Sequence, residues 1–387
     1  MSARTGTAPA TPPPADTATV TTTATGTAAS AHGPGNDGGP VGRRRTVRHH
    51  VPLHHVPLHR VLRDRVLRRA SPRAAARRVP RGTRGRRGRL VAGTAAALAA
   101  LMVLGPWLPN GPFNLASLWQ TVLPWSGLGI ALLLLLAALR RSTLAAVAVL
   151  APALVWTVLF APALVDKRTG GGDLTVVSHN VNEDNPDPRR TARALAGSGA
   201  DVVAVEELAP RAQETYRREL AAGYPHSQVH GGIALWSKYP LQDVAPVEIM
   251  PWTRAVRATV LTPKGPVALY TAHLASVRVR PDAGFTTAQR NEAAAKLAAA
   301  VQSEPLGRII VLGDLNGSFD DSALGTLTGP LRSAQQEAGA GFGFTWPAAL
   351  PVVRIDQILL KGITPRSAWT LPDTGSDHLP VAASLRL

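Results

Sequence analysis

The chain has 387 residues, no cysteine and a formal charge of +17 at neutral pH. That length exceeds one average domain and suits two regions. The absence of cysteine excludes a disulfide framework, a thiolate zinc site and a cysteine nucleophile. Any metal must then be held by oxygen and imidazole, which favours Mg²⁺, Mn²⁺ or Ca²⁺.

The charge is unevenly spread. Residues 1–89 hold 18 Arg and 3 Asp, residues 90–165 add only Arg140 and Arg141, and residues 166–387 balance 22 basic against 22 acidic groups. A duplex-binding face carries excess positive charge where it works, and here the excess lies elsewhere. Residues 1–41 are dominated by Ala, Thr, Pro and Gly and cannot bury enough apolar surface to offset ordering entropy. They are expected to be disordered, and residues 43–89 to continue them as an arginine-rich arm. Within the arm, His49-His50-Val51-Pro52-Leu53 recurs as His54-His55-Val56-Pro57-Leu58. Its prolines break helical register, so the repeat reads as a solvated tail.

Three uncharged apolar spans come next, at about 90–108, 122–139 and 144–165. Each is long enough as a helix to cross a hydrocarbon core of ~30 Å. Trp107, Trp119 and Trp125 cluster around the first loop, as interfacial aromatics do. The 17 arginines from Arg43 to Arg89 predict a cytoplasmic N-terminus, and Arg140-Arg141 mark a return to that side. Three crossings then predict a cell-membrane protein whose later residues are extracellular. The basic arm is suited to anionic lipid headgroups. A linker over residues 166–172 reaches at most ~25 Å, so the region beyond it must sit near the membrane surface.

Residues 173–387 are long enough for one sizeable core and alternate strand and helix patterns. Strands are predicted at 174–178, 201–205, 233–236, 255–261, 267–271, 308–312, 357–360 and 380–385, and helices at 188–198, 211–222 and 286–302. Hairpins mix with crossovers, so a simple parallel sheet is excluded. Polar residues recur at the strand ends: Asn180, Glu206 and Glu207, His273, Asp314 and Asn316, Asp356, and Asp377-His378. Singly, each has a structural reading: a turn cap for Asn180, a core imidazole for His273, a salt bridge to Arg354 for Asp356. Together they amount to a carboxylate-rich metal site with two imidazoles, which suits hydrolysis of a phosphate ester.

The order and wording of these segments are distinctive. Ser178-His-Asn-Val-Asn182, Asp201-Val-Val-Ala-Val-Glu-Glu-Leu208, Gly232 to Leu241, Thr271-Ala-His-Leu274, Gly313-Asp-Leu-Asn316, Arg354-Ile-Asp356 and Ser376-Asp-His378 resemble the endonuclease/exonuclease/phosphatase superfamily. The resemblance implies an α/β, DNase I-like four-layer sandwich, in which two packed mixed β-sheets are flanked by helices. It implies Mg²⁺, with Mn²⁺ as the substitute, held by Glu207 with Asn180 and Asp377. It implies a catalytic set of His273, Asp314, Asn316, Asp356 and His378. Asp314 would position or deprotonate the attacking water, and Asn316 would hold it or a phosphoryl oxygen. His273 and His378 would stabilise the phosphoryl group or protonate the leaving oxygen, and Asp356 would orient His378. Glu206 stands where the family has glutamine. His179 has no assigned role, Arg290 is expected to reach a phosphate or a carboxylate, and Asp320 and Asp321 are expected in a solvated turn.

A three-span anchor joined to an external domain also resembles the VanJ-type membrane proteins associated with glycopeptide resistance. That likeness implies membrane lipids as neighbours and a lipid-linked phosphate or pyrophosphate of the cell envelope as substrate. The alternatives are an anchored extracellular Mg²⁺-dependent nuclease acting on nucleic acid, and a catalytically silent scaffold.

Overall fold

A computed structural model describes residues 81–111 and 113–387, without the side chains of 81–87. The segment expected to be disordered before residue 81, with its histidine repeat, lies outside the described residues. Helix α1 (Arg81–Leu104) begins inside the predicted arm, since arginine propagates a helix well. It runs into a 3₁₀ turn, Gly105–Trp107, at Pro106. Helices α2 (Leu115–Val122) and α3 (Ser126–Leu139) form one broken helix, interrupted over Leu123–Trp125 at Pro124. Helix α4 (Thr143–Leu164) starts at Ser142, whose side chain accepts from the Ala145 N–H.

Gly88–Trp107, Leu115–Leu139 and Thr143–Leu164 are long and apolar enough to cross a membrane. The second stretch starts seven residues before the predicted Val122. Its first turns carry Ser117 and Gln120, which read as polar in sequence but are buried against the rest of the protein.

The remaining elements are β1 (Leu174–Asn180), α5 (Pro188–Ala196), β2 (Val202–Glu206), α6 (Gln213–Leu220), β3 (His226–His230), β4 (Ile233–Ser237), β5 (Leu241–Pro246), β6 (Ala255–Thr262), β7 (Gly265–Ala272), β8 (Val279–Arg280), β9 (Gly284–Phe285), α7 (Ala288–Gln302), β10 (Ile309–Asp314), α8 (Gly325–Thr328), β11 (Arg332–Ser333), α9 (Ala334–Ala338), β12 (Asp356–Lys361), β13 (Thr364–Thr370) and β14 (Val381–Arg386). They build two six-stranded sheets, ordered β13-β14-β1-β2-β4-β3 and β11-β12-β10-β7-β6-β5. Each sheet has one parallel pair at its centre, β1 with β2 and β7 with β10, flanked by antiparallel neighbours.

Side chains alternate across each strand. Val176, Val202, Ala204, Ile310, Leu312 and Ile358 pack between the sheets. Val177, Val203 and Val205 face α5 and α6, while Tyr270, Val311 and Leu359 share a cluster with α7. The result is the four-layer DNase I-like sandwich. Strands buried on both faces read as unbroken apolar runs, as in Val202–Val205 and Ile309–Leu312.

On the outer side of the second sheet, Glu304 accepts from Arg257 Nε and Nη2 at 3.1 Å each, from the Tyr270 hydroxyl at 2.7 Å and from the Leu306 N–H at 3.1 Å. Burial alone would raise its carboxyl, but these donors outweigh burial and hold it below the usual value. A group depressed on folding contributes stability above its unfolded pKa, which is lost as pH falls through the folded one. Glu304→Gln is therefore expected to cost about 2 kcal/mol at pH 7. The deficit should shrink below about pH 4, as read by thermal melting of the solubilised chain.

The apolar helices dock onto the domain through specific contacts. Ser117 Oγ donates to Asp321 Oδ1 at 2.9 Å, and Gln120 Oε1 accepts from the Ser322 N–H at 2.8 Å. Trp125 Nε1 donates to the Val352 carbonyl at 2.7 Å, and its ring stacks on Phe344. The Phe285 N–H donates to the Phe113 carbonyl at 3.0 Å. The predicted linker is itself pinned: the Thr169 N–H donates to the Arg366 carbonyl, and Arg366 donates to the Gly170 carbonyl.

Candidate active site

The polar residues singled out in the sequence meet at one end of the sandwich. Asn180 ends β1, Glu206 ends β2, His273 comes directly after β7, and Asp314 ends β10. Strand β12 runs the other way, so its first residue, Asp356, lies directly opposite Asp314. His378 arrives in the loop before β14. Gly313 makes this junction feasible. Its φ is +135°, and a Cβ there would come within 2.0 Å of the Ala272 carbonyl oxygen on β7. Only glycine lets β10 close on β7 and still present Asp314.

Asp314 is the hub. Its Oδ2 accepts from Asn180 Nδ2 at 3.1 Å and Asn316 Nδ2 at 3.3 Å, and its Oδ1 accepts from the Asn316 N–H at 2.8 Å. His273 Nε2 lies 3.6 Å and His378 Nε2 lies 3.8 Å from Oδ2. His378 Nδ1 is 3.0 Å from Asp356 Oδ2. The expected pairing of Asp356 with His378 therefore holds, and the Arg354 alternative does not, since Arg354 donates to the Gly343 carbonyl instead. Glu207 and Asn316 both have positive φ, 56° and 47°, the sparsely populated backbone found where strain serves a site.

The electrostatics divide the groups. Burial and the facing Asp356 push the Asp314 carboxyl up to about 7. Burial would lower His378, but Asp356 outweighs it and raises the imidazole to about 10. His273 is held well below its usual value by burial and by Arg254. The site thus contains one cationic and one neutral imidazole beside a carboxylate poised near neutrality.

The adjacent acids at the end of β2 differ in surroundings, since Glu206 is its last residue and Glu207, with its positive φ, lies just beyond it. Glu206 is fully buried, accepts from Ser178 Oγ at 2.9 Å and is pushed well above the carboxylate range by burial. A protonated carboxyl of this kind has one acceptor and one donor, much as the amide of glutamine does. Glu207 keeps 26% of its side chain exposed, with Oε1 3.5 Å from His273 Nε2.

Among the described residues, the acids and imidazole within 4.8 Å of one another are Asp314, Asp356 and His378. Within that group the His378–Asp356 pair is hydrogen-bonded, and Asp314 lies 3.8 Å from His378. Asp377 accepts from Trp346 Nε1 at 3.4 Å, while Asn180 Nδ2 donates to Asp314. Glu207 and Asp377 remain the acids outside the His378 network. With the Asn180 amide they supply hard oxygen donors, so the residues present fit a divalent cation such as Mg²⁺.

One expectation about flanking residues needs correction. Asp321 is not in a solvated turn: it is buried, with Oδ2 2.7 Å from Arg290 Nη2. Arg290 thus reaches a carboxylate rather than the open site, and its Nη1 donates to the Asn316 carbonyl at 3.1 Å. Asp320 is exposed and accepts from Gln336 Nε2 at 3.0 Å. Arg254, absent from the expected set, is hydrogen-bonded to His273 Nδ1. Its only sequence signal is its place just before β6. His179, given no role, is buried against Thr374 at 2.8 Å and held down to about 3 by burial.

A profile of the Endonuclease/Exonuclease/phosphatase family matches residues 177–378, from within β1 to His378. The chain belongs to this family. Every residue of the Asp314 cluster falls inside the family match. Among solved structures, the chain is similar to a beta toxin variant from Staphylococcus aureus with bound magnesium ions. They share 18% identity over 55% of this chain and 99% of the other, with a TM-score of 0.44. D. rerio TDP2 complexed with a single-strand DNA product is 20% identical over 55% and 99%, with a TM-score of 0.47. Sphingomyelinase C from Streptomyces griseocarneus is 18% identical over 54% and 98%, with a TM-score of 0.42. No curated protein matches the chain.

Proposed function

We propose that this family member is a membrane-anchored, metal-dependent phosphoesterase that hydrolyses a lipid-linked phosphate or pyrophosphate at the outer face of the cell membrane. In this reading residues 90–165 are the anchor, 166–172 the linker and 173–387 the catalytic domain. Asp314, with its carboxyl near neutrality, accepts a proton from the attacking water, and Asn316 holds that water or a phosphoryl oxygen. His378, kept cationic by Asp356, faces the developing phosphoryl charge, and neutral His273 donates from the other side. Glu207, Asn180 and Asp377 would hold a divalent cation, which when bound would neutralise charge on the phosphoryl oxygens.

The observation that carries the lipid reading is the rim of the site. Trp346 donates to Asp377, the neighbour of His378, and is 40% exposed, while Leu350 is 71% exposed. The same loop accepts from Trp125, at the end of an apolar helix, through the Val352 carbonyl. An apolar lip thus runs from the site toward the anchor. The full chain in detergent is expected to release phosphate from a polyprenyl pyrophosphate and leave plasmid DNA intact. DNA cleavage with no action on the lipid would establish the anchored nuclease instead, and inactivity on both would favour the scaffold. EDTA should abolish the reaction and Mg²⁺ restore it. Glu207→Gln should raise the Mg²⁺ concentration giving half-maximal rate by on the order of tenfold, because it removes a ligand charge.

A further inference from the structure

Behind the active site, on the outer side of β12, a cavity of about 450 Å³ lies between the domain and the apolar helices. Its size is within the roughly 300–1,000 Å³ range of ligand pockets. Its two walls differ in chemistry. One is apolar, formed by Met102, Leu123, Leu159, Phe160 and Ala163 of the helices together with Phe342. The other carries Ser318, Gln335, Arg354 and Gln357, and each of these has a buried polar atom with no partner: Ser318 Oγ, Gln335 Oε1, Arg354 Nε and Gln357 Oε1. Gln335 and Gln357 are only 5% and 1% exposed. Buried polar atoms are nearly always paired, and four unpaired ones around a single cavity point to a ligand.

The cavity is not the catalytic pocket. Asp356 and Gln357 are consecutive on β12, so their side chains lie on opposite faces of the sheet. The two sites touch through the chain, since Gln357 Nε2 donates to the Gly317 carbonyl at 3.3 Å, beside Asn316.

A second cleft of about 400 Å³ shares Pro124 and Phe342 with the first and runs between the helices, past Ile130, Ala153 and Trp156. Its lining is almost wholly apolar. A hydrogen-bonding chamber that continues into an apolar cleft between candidate membrane helices matches one ligand shape, a polar head with a long hydrocarbon chain. The polar wall defines the head. Lys167 and Arg354 are cationic, while the one acid of the lining, Asp320, is taken by Gln336. The two glutamine oxygens need donors, so the head must carry hydroxyl or ammonium hydrogens as well as an anionic oxygen.

We propose that this cavity binds an anionic phospholipid with a hydroxylated head, placing its phosphodiester at Arg354 and Lys167, its hydroxyls at Gln335 and Gln357, and one acyl chain in the interhelical cleft. This does not depend on which phosphate the active site cleaves. Full-length protein purified in mild detergent would be titrated with dioleoylphosphatidylglycerol or dioleoylphosphatidylcholine and followed by native mass spectrometry. The expected result is one retained phosphatidylglycerol, bound at least tenfold more tightly than phosphatidylcholine, whose choline head has no donor for the amides. Gln335→Leu removes an acceptor, and Ala163→Trp fills the chamber from the helix side without touching the domain. Each should weaken phosphatidylglycerol at least tenfold. Equal retention of both lipids, unchanged binding by Ala163→Trp, or a folded protein that retains no lipid would overturn the proposal.

Discussion

Asp314→Asn is expected to lower the rate of phosphate release by about 10²- to 10⁴-fold, the range for loss of a general base. The chain should still fold. The substitution keeps the shape of the side chain, and Asp314 is held by a glycine-dependent backbone junction rather than by its charge alone. What it removes is a proton acceptor at the one point approached by both imidazoles, 3.6 Å from His273 and 3.8 Å from His378. Rates on the polyprenyl pyrophosphate, with circular dichroism as the folding control, decide the matter. A loss of less than tenfold in a folded variant would remove Asp314 from the proton-transfer role. Asp356→Asn makes a useful companion. It removes the hydrogen-bonded partner of His378 and also the charge that helps raise Asp314, so both limbs of the pH–rate profile should shift downward, the basic limb where His378 loses its proton and the acid limb where Asp314 does. The sign comes from the partner: Asp356 raises the imidazole, so neutralising Asp356 lets it deprotonate at lower pH.

The parts of this fold legible in the sequence are those with one dominant physical cause. Central strands such as Val202–Glu206 and Ile309–Asp314 are apolar on both faces and announce themselves as runs. Within the two large sheets, the strands that escaped prediction, β3, β5, β11 and β13, are the four edges. An edge strand is half covered, so its sequence mixes polar and apolar residues: His226-Ser-Gln-Val-His230 carries no period that marks it as strand. At the site, Asn180, His273, Asp314 and Asp356 were legible as candidates because each sits at or beside the end of a strand that was itself legible. Arg254 was not, because an arginine before a strand looks like any surface arginine until the fold brings it onto His273. The expected metal ligands were read from residue type alone. Spacing along the chain cannot tell that Asp314, Asp356 and His378 draw together while Asp377 turns to Trp346. The largest misreading, a solvated turn at Asp321, has the same origin. Its partners are 31 and 204 positions away, on α7 and α2.

Asp321 is therefore where the second large effect is expected. Its carboxylate is buried with Arg290, and it also accepts from Ser117 Oγ at 2.9 Å and from the Ala323 N–H at 3.0 Å. Asp321→Ala leaves a buried guanidinium without a counter-charge, which costs about 3–5 kcal/mol and lowers the melting temperature of the solubilised chain by roughly 10 °C. Ser117→Ala removes one neutral hydroxyl, which donates to Asp321 and accepts from Asn110 Nδ2 at 2.8 Å, and should cost about 1–2 kcal/mol. The contrast separates two roles of the same carboxylate. If Asp321 matters only as a tie to α2, the two substitutions will cost alike. If it matters chiefly as the partner of Arg290, Asp321→Ala will cost several times more and will also lower the rate, because Arg290 Nη1 holds the Asn316 carbonyl. Paired replacement of Arg290 and Asp321 by apolar residues tests the inference from the other side. Such exchanges of buried ion pairs are often neutral for stability. The double variant should then regain much of the lost melting temperature without regaining the rate, since no donor would remain on the Asn316 carbonyl. Recovery of both would mean that the pair holds the domain together and leaves the Asn316 loop to position itself.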